Sequence, residues 1–327
     1  MPAGRTVRID PGHSAARPHI TLPPLPEVSL DSAYSTRLGR AYQTDALTLL
    51  GELPDDSIDL VVTYPPFALL RQKCYGNVTQ AEYADWFVPF ADQIFRVLKP
   101  TGSFVLELGG SWNRGKPTRS LYQYELILRL ARTFHLAQDF YWHNPSRLPT
   151  PAEWVTIQRT RVKDGTSLVW WLSKTENPEA DNRRVLVPYS PSMKRLLANG
   201  YTPATRPSQH VISEVFQRDN GGAIPSNLLN VPNTKSNEMY LRRCKEAGVK
   251  PHPARFPIEL PDFFVRFLTS PGAIVLDPFA GSNTTGAAAE RHDRPWLCSE
   301  PDAEYLRGSQ FRFDDVTETV RRRAKAA

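Results

Sequence analysis

Val61-Val62-Thr63-Tyr64-Pro65-Pro66-Phe67 joins a β-branched run to two prolines and an aromatic ring. The run from Ile58 to Val62 is short, apolar and ended by breakers, as a buried strand should be. Pro65 and Pro66 fix φ and lack an N–H, so the strand stops there and the preceding carbonyls are left without strand partners. What results is a rigid shelf at the carboxyl end of a strand, where ligands sit in open α/β sheets. A flat base with an exocyclic amine suits it: the ring stacks on Phe67 and the amine hydrogens reach the Pro65 carbonyl. A Pro-Pro-Phe turn is also an ordinary way to leave a strand, so this reading needs a second motif.

Outward from the shelf, strands and helices alternate. Ala41-Tyr42-Gln43-Thr44-Asp45 reads as a strand ending in a carboxylate, with a helix from Ala46. Thr79-Gln80-Ala81-Glu82 is a capping-box pattern that opens a helix to about Leu98. Lys99-Pro100-Thr101-Gly102 stops it, and Ser103–Leu108 is a strand ended by Gly109-Gly110. A helix over 121–134 and a strand over 138–142 follow, closing at His143-Asn144-Pro145. This rhythm predicts right-handed βαβ units and a parallel sheet.

The rhythm then fails between about 150 and 250, apart from a strand at Ser167–Leu172. Arg183, Arg184, Lys194, Arg195, Arg206 and Arg218 alternate there with Tyr189, Tyr201, His210 and Phe216, a mixture suited to phosphate contacts and base-edge reading. Regular structure returns with a helix from Leu260 to Thr269, a strand at Ala273–Leu276, a helix over 282–292, a strand at Trp296–Ser299 and a helix from about Asp302. The expected organisation is a flexible Pro-rich arm over 1–35, carrying Arg5, Arg8 and Arg17, and a catalytic half over 36–150. A target-recognition region over 151–250 and a cofactor-binding half over 251–327 complete it, with Arg321-Arg322-Arg323 as a basic tail.

The second motif lies in that last part. Asp277-Pro278-Phe279-Ala280-Gly281-Ser282-Asn283-Thr284-Thr285-Gly286 follows a strand and opens a helix, whose first N–H groups can hold an anion. It is neither a P-loop, since no Gly-Lys-Ser/Thr follows, nor a full G-x-G-x-x-G. Glu300 ends the next strand, where a carboxylate accepts ribose hydroxyls. A cofactor with one carboxylate and one ribose fits both features, and S-adenosylmethionine has both.

Composition narrows the partners. The 327 residues carry 40 Lys+Arg against 34 Asp+Glu, a net +6 and a pI near 9.2, which favours a polyanion. Cys74, Cys244 and Cys298 form no C-x-x-C pair, so neither a disulfide framework nor a zinc site is expected and a reducing cytosol is the setting. No apolar stretch approaches a membrane span or a signal core.

Together, Thr63-Tyr64-Pro65-Pro66-Phe67 and Asp277-Pro278-Phe279-Ala280-Gly281 resemble the catalytic and cofactor motifs of DNA amino-methyltransferases. The catalytic motif comes first and an irregular basic region separates the two, which is the β-group order. Further segments resemble the PvuII-type, N4-cytosine members: Phe67-Ala68-Leu69, Tyr83-Ala84-Asp85-Trp86-Phe87, Tyr141 to Pro149, Glu153-Trp154-Val155, Arg161-Val162-Lys163-Asp164, Asp219-Asn220-Gly221-Gly222 and His252 to Pro257. Thr205-Arg206-Pro207-Ser208 shares that likeness, whereas Gln209 and its neighbours differ.

The resemblance implies an α/β fold, a Rossmann-like S-adenosylmethionine-dependent methyltransferase sheet with circularly permuted motif order. It implies methyl transfer to the N4 amine of a flipped cytosine in double-stranded DNA, within a restriction-modification system. Tyr64, Pro65, Pro66, Phe67 and Glu107 would do the chemistry. Asp277, Phe279, Gly281, Ser282, Asn283, Thr284 and Thr285 would face the methionyl end of the cofactor, Glu300 its ribose and Asp45 its adenine. Phe256 lies in the segment expected to close over it. No metal or membrane is implied; a restriction endonuclease would share the DNA site without binding, and a monomer or weak dimer would act in the cytoplasm on the nucleoid. Two positions depart from the pattern: Tyr64 stands where the family has Ser, and Glu107 where it has Asp. Adenine N6 as the target amine, or a DNA-binding homologue weakened by Tyr64, are the alternative readings.

Overall fold

A computed structural model describes residues 22–68, 78–200, 218–233 and 238–313. Its strands are β1 Ser32–Ser35, β2 Gly39–Tyr42, β3 Ile58–Thr63, β4 Leu98–Leu108, β5 His135–His143, β6 Thr166–Ser173, β7 Leu228–Asn230, β8 Val275–Asp277 and β9 Trp296–Ser299. The α-helices are α1 Ala46–Glu52, α2 Tyr83–Val97, α3 Tyr122–Leu130, α4 Pro191–Asn199, α5 Glu238–Glu246, α6 Glu259–Leu268, α7 Thr284–Arg291 and α8 Ala303–Ser309. Arg5, Arg8, Arg17, Cys74, Tyr201, Arg206, His210, Phe216, the Thr205-to-Gln209 stretch and the Arg321-Arg322-Arg323 tail lie outside the described residues.

The strands form one sheet in the order β1-β2-β9-β8-β3-β4-β6-β5-β7. From β2 to β4 every neighbour is parallel, as the alternation predicts. Outside that centre the directions are mixed: β6 runs antiparallel to both β4 and β5, β1 antiparallel to β2, and β7 parallel to β5. A purely parallel sheet is therefore corrected to a mixed one. Only the one-turn π-helix Glu153–Ile157 lies between β5 and β6, too short for a crossover that would return the chain in parallel, and the pair is antiparallel.

Side chains alternate across the sheet. Trp170 and β4's Phe104, Leu106 and Leu108 join a core with Tyr83, Phe87, Ile94, Tyr122 and Leu126 of α2 and α3. Trp171 points the other way, its ring 5.2 Å from Phe267, and Phe140 meets Phe263 and Phe264 of α6. Helices thus cover both faces, which is why the central strand β3 is buried except at Asp59, held by Lys99 at 2.8 Å.

Local boundaries depart from expectation for local reasons. Thr79 donates to the Glu82 carboxylate at 2.5 Å instead of capping a backbone N–H, so this stretch is a turn and α2 starts at Tyr83. β4 begins at Leu98, because Ile58 of β3 pairs with it before a register shift. The expected arm contains β1, and Leu25, Val28 and Leu30 pack on the core. Among the described residues no helix is long and apolar enough to cross a membrane.

The described residues 181–200 and 218–226 belong to a second compact unit. Within it Asp181 caps the turn Asn182–Val185, Val187 bridges Ala223, and Ser190 caps α4, which carries Lys194 and Arg195.

Candidate active site

Five strand ends meet along one edge of the sheet, because β2, β9, β8, β3 and β4 are parallel neighbours. Register sets the rest. Thr63 pairs with Leu106, which puts Tyr64 level with Glu107; Asp277 ends β8 on the other side of β3.

The shelf is braced from below. The Tyr83 hydroxyl donates to the Pro66 carbonyl at 2.8 Å, and the Tyr122 hydroxyl donates to the Gly109 carbonyl. Gln123 donates its amide to the Leu108 carbonyl. Phe67 lies so close over Gly109 that a Cβ there would sit 2.4 Å from the ring. Gly109 is thus more than a strand terminator, since its bare backbone makes room for the aromatic face.

Tyr64 stacks on Phe256, with ring centroids 3.5 Å apart and planes 18° from parallel. Its hydroxyl is buried without a hydrogen-bond partner, and burial beside Glu107 and Asp277 pushes its proton loss far up. It is a neutral phenol with a donor to give. Glu107 is 2% exposed and its Oε1 has no partner. Burial lifts its carboxyl to about 7, tempered by a bond from Ser167 and by the Arg147 charge.

On the cofactor side, Asp277 takes the Thr63 hydroxyl at 2.7 Å and the Phe279 N–H at 3.1 Å on Oδ1, while Oδ2 is buried without a partner. Burial raises this carboxyl to about 6. Gly281 has φ +52, and a Cβ on it would meet the His252 imidazole at 3.0 Å, so the position excludes side chains twice over. Glu300 accepts the Gly281 N–H and the Asp302 N–H, each at 3.0 Å, and burial lifts it to about 7.

Other residues named from sequence have visible scaffold roles. Asn283, left-handed at φ 52, caps α7 through the Gly286 N–H at 3.0 Å. Ser282 accepts from the buried Arg312 at 3.0 Å, and Thr285 donates to the Val62 carbonyl at 3.3 Å. Thr284 lies 3.3 Å from the Ser282 hydroxyl, and Phe279 packs against Trp86, Phe87 and Phe90. Asp45 caps α1 through Thr48 and stays largely exposed at the end of β2. Sequence reasoning missed Tyr83, Tyr122, Ser167, Arg312 and the part played by Gly109. Tyr83 and Arg147 lay inside quoted segments, whereas Ser167 gave no signal in its strand.

Three carboxyl groups raised by burial with no cation bonded to them, two of them with an orphaned oxygen, are groups arranged for a ligand. A glycine cradle and an aromatic shelf at adjacent strand ends define a Rossmann-like enzyme that brings a nucleoside cofactor to a flat substrate. The chain belongs to the DNA methylase family, whose pattern matches residues 58–311. It is 52% identical over 288 residues to Type II methyltransferase M.PvuII of Proteus hauseri, covering 86% of each chain. Type II methyltransferase M.BamHI of Bacillus amyloliquefaciens is 27% identical over 270 residues, covering 81% of this chain and 55% of that one. Among solved structures, PvuII DNA methyltransferase (cytosine-N4-specific) superposes with a TM-score of 0.72 at 43% identity, covering 89% of this chain and 94% of that one.

Proposed function

We propose that the protein transfers a methyl group from S-adenosylmethionine to the N4 amine of a cytosine turned out of duplex DNA. The single observation that carries this is the shelf Tyr64–Phe67 and the Gly281 turn at the ends of adjacent strands, with Glu107 on the next strand. The 52% identity to M.PvuII, and the cytosine-N4 specificity in the name of its solved counterpart, support the target base.

The residues fit the cofactor. Asp277 offers its unpartnered Oδ2 to the methionyl ammonium, the bare Gly281 backbone admits close approach, and Glu300 keeps free lone pairs for ribose hydroxyls. Asp45 stands at the adenine end, Phe256 closes the chamber, and Phe279, Ser282, Asn283, Thr284 and Thr285 hold the turn in shape. Bound S-adenosylmethionine supplies a methyl already activated on a sulfonium.

The cytosine amine is a weak nucleophile because its lone pair is delocalised into the ring. Extruding the base costs a few kcal/mol of stacking. Phe67 stacks on the extruded ring, and the Pro65 carbonyl takes one amine hydrogen, the Pro66 carbonyl being engaged by Tyr83. Glu107 accepts the other, so the nitrogen turns its lone pair toward the methyl. The new N–C bond forms as the S–C bond breaks with its electron pair left on sulfur, and the surplus amine proton passes to Glu107. Tyr64 donates its phenol to the base edge, the place a shorter serine holds in relatives. Fixed geometry supplies most of the rate.

Residues 151–250 serve as the target-recognition region, with 1–35, 36–150 and 251–327 as arm, catalytic half and cofactor half. The protein acts as a monomer or weak dimer on the cytoplasmic nucleoid, protecting a site that a separate endonuclease cleaves. Nucleosides from a plasmid co-expressed with the protein test the reaction by mass spectrometry. N4-methyldeoxycytidine is expected; N6-methyldeoxyadenosine would move the target to adenine, and unmodified DNA would leave a binding protein.

A further inference from the structure

We infer that Arg147 and Ser167 are positioning residues that aim Glu107 and hold it ready to receive the amine proton. The inference rests on the proton-acceptor reading of Glu107 given above. Its starting point is geometric. Glu107 of β4 pairs with Val169 of β6, and Ser167, two residues before Val169, projects from the same face, so the hydroxyl reaches the carboxyl. Arg147 donates Nη2–H to the Ser167 oxygen at 3.0 Å.

A guanidinium has donors only. The Ser167 oxygen is therefore the acceptor toward Arg147, and its own hydrogen turns to Glu107. That fixes the polarity of the chain: guanidinium to hydroxyl to carboxylate. Ser167 lies on the same face beside the carboxyl and favours its charged form, while Oε1 has no partner, which leaves that oxygen to meet a substrate N–H.

The far end is anchored as firmly. Arg147 donates Nη1–H to the Thr166 carbonyl at 3.1 Å and lies 3.4 Å from the Asp164 carbonyl. Its own N–H bonds the Asn144 carbonyl at 3.1 Å, and buried Asn144 caps the turn through the Ser146 N–H at 3.1 Å. The turn after β5 thus presents the cation at a fixed place. The other titratable groups around Glu107 are Tyr64 at the end of β3, Tyr83 of α2 and Tyr122 of α3, all phenols kept neutral by burial. Asp277 stands beyond Tyr64, and Arg119 acts on Tyr122. Arg147 is the cation that bears on Glu107.

Removing either link takes away a stabiliser of the carboxylate, so ionisation of Glu107 moves to higher pH. The test is the single-turnover methylation rate against pH, at saturating S-adenosylmethionine and DNA, for wild type and Ser167→Ala, Ser167→Thr, Arg147→Met and Glu107→Gln. Cofactor binding by calorimetry checks that each variant is folded. Expected for Ser167→Ala and Arg147→Met is an acid limb moved up, with the rate about tenfold lower near pH 6.5 and close to wild type at pH 9. Ser167→Thr keeps the hydroxyl and should track wild type. An unmoved limb, or equal loss at every pH, overturns the inference. If Glu107→Gln keeps full rate and wild type has no acid limb, the proton-acceptor reading itself fails, and this inference with it.

Discussion

Tyr64 is where the chain departs most from its relatives' pattern. Its ring fills the space beside Phe256, and its phenol reaches the chamber without a partner. Tyr64→Ser should leave the single-turnover rate similar or higher, since the shorter hydroxyl lets the base settle on Phe67. It should also lower stability by about 2 kcal/mol in urea unfolding, from the cavity left against Phe256. A complete loss of rate would give the phenol a role of its own. Glu107 bears on stability as well as on chemistry. Its folded carboxyl titrates near 7, well above an ordinary glutamate. Below about pH 4 the group is protonated in folded and unfolded chains alike; between the two values only the folded chain holds the proton; above 7 the folded chain bears a buried charge. The ligand-free protein therefore loses stability from this group as pH rises. Glu107→Gln should match wild type in Tm at pH 5 and exceed it by about 2–4 °C at pH 8, while methylation is lost. Sequence marked both residues, by position after or within a strand, but burial and the Ser167 tether were invisible to it, because both depend on register with β6.

At the scale of elements, two glycines separate the two halves of the site. Gly109 ends β4 under Phe67, whereas Gly281 turns from β8 into α7 under His252. Gly109→Ala should displace the Phe67 ring, leaving S-adenosylmethionine affinity within about twofold and cutting methylation at least about 100-fold. Gly281→Ala adds strain at positive φ and crowds His252, so cofactor affinity itself should fall, by about tenfold or more. Calorimetry and methyl transfer, measured on both variants, check the pair; equal cofactor loss in each would merge the two halves into one. Element existence was largely legible, since β3, α1 and β9 follow directly from apolar runs and breakers. What was not legible came from pairing: the capping-box pattern at Thr79 closes on its own Glu82, and β4 starts early because Ile58 holds Leu98.

Among the described residues the sheet has a parallel five-strand centre, β2 to β4, flanked by β1 and β6, each antiparallel to its inner neighbour. The parallel pair β5–β7 lies beyond β6, and sequence rhythm did not distinguish these directions. A βαβ alternation predicts direction only where a crossover helix intervenes, and between β5 and β6 there is just the single π-helical turn Glu153–Ile157. That strand order is what lays the aromatic shelf, the carboxylates and the glycine turn along one edge, although Tyr64 and Gly281 are far apart in the chain. The central claim is that the extruded cytosine stacks on Phe67 within this edge. Ultraviolet cross-linking of the protein to duplex carrying 5-iodocytosine at the methylated position, mapped by mass spectrometry, tests it most directly. The adduct is predicted on Phe67 and should vanish in Phe67→Ala; an adduct mapping to residues 181–226, undiminished in Phe67→Ala, would contradict it.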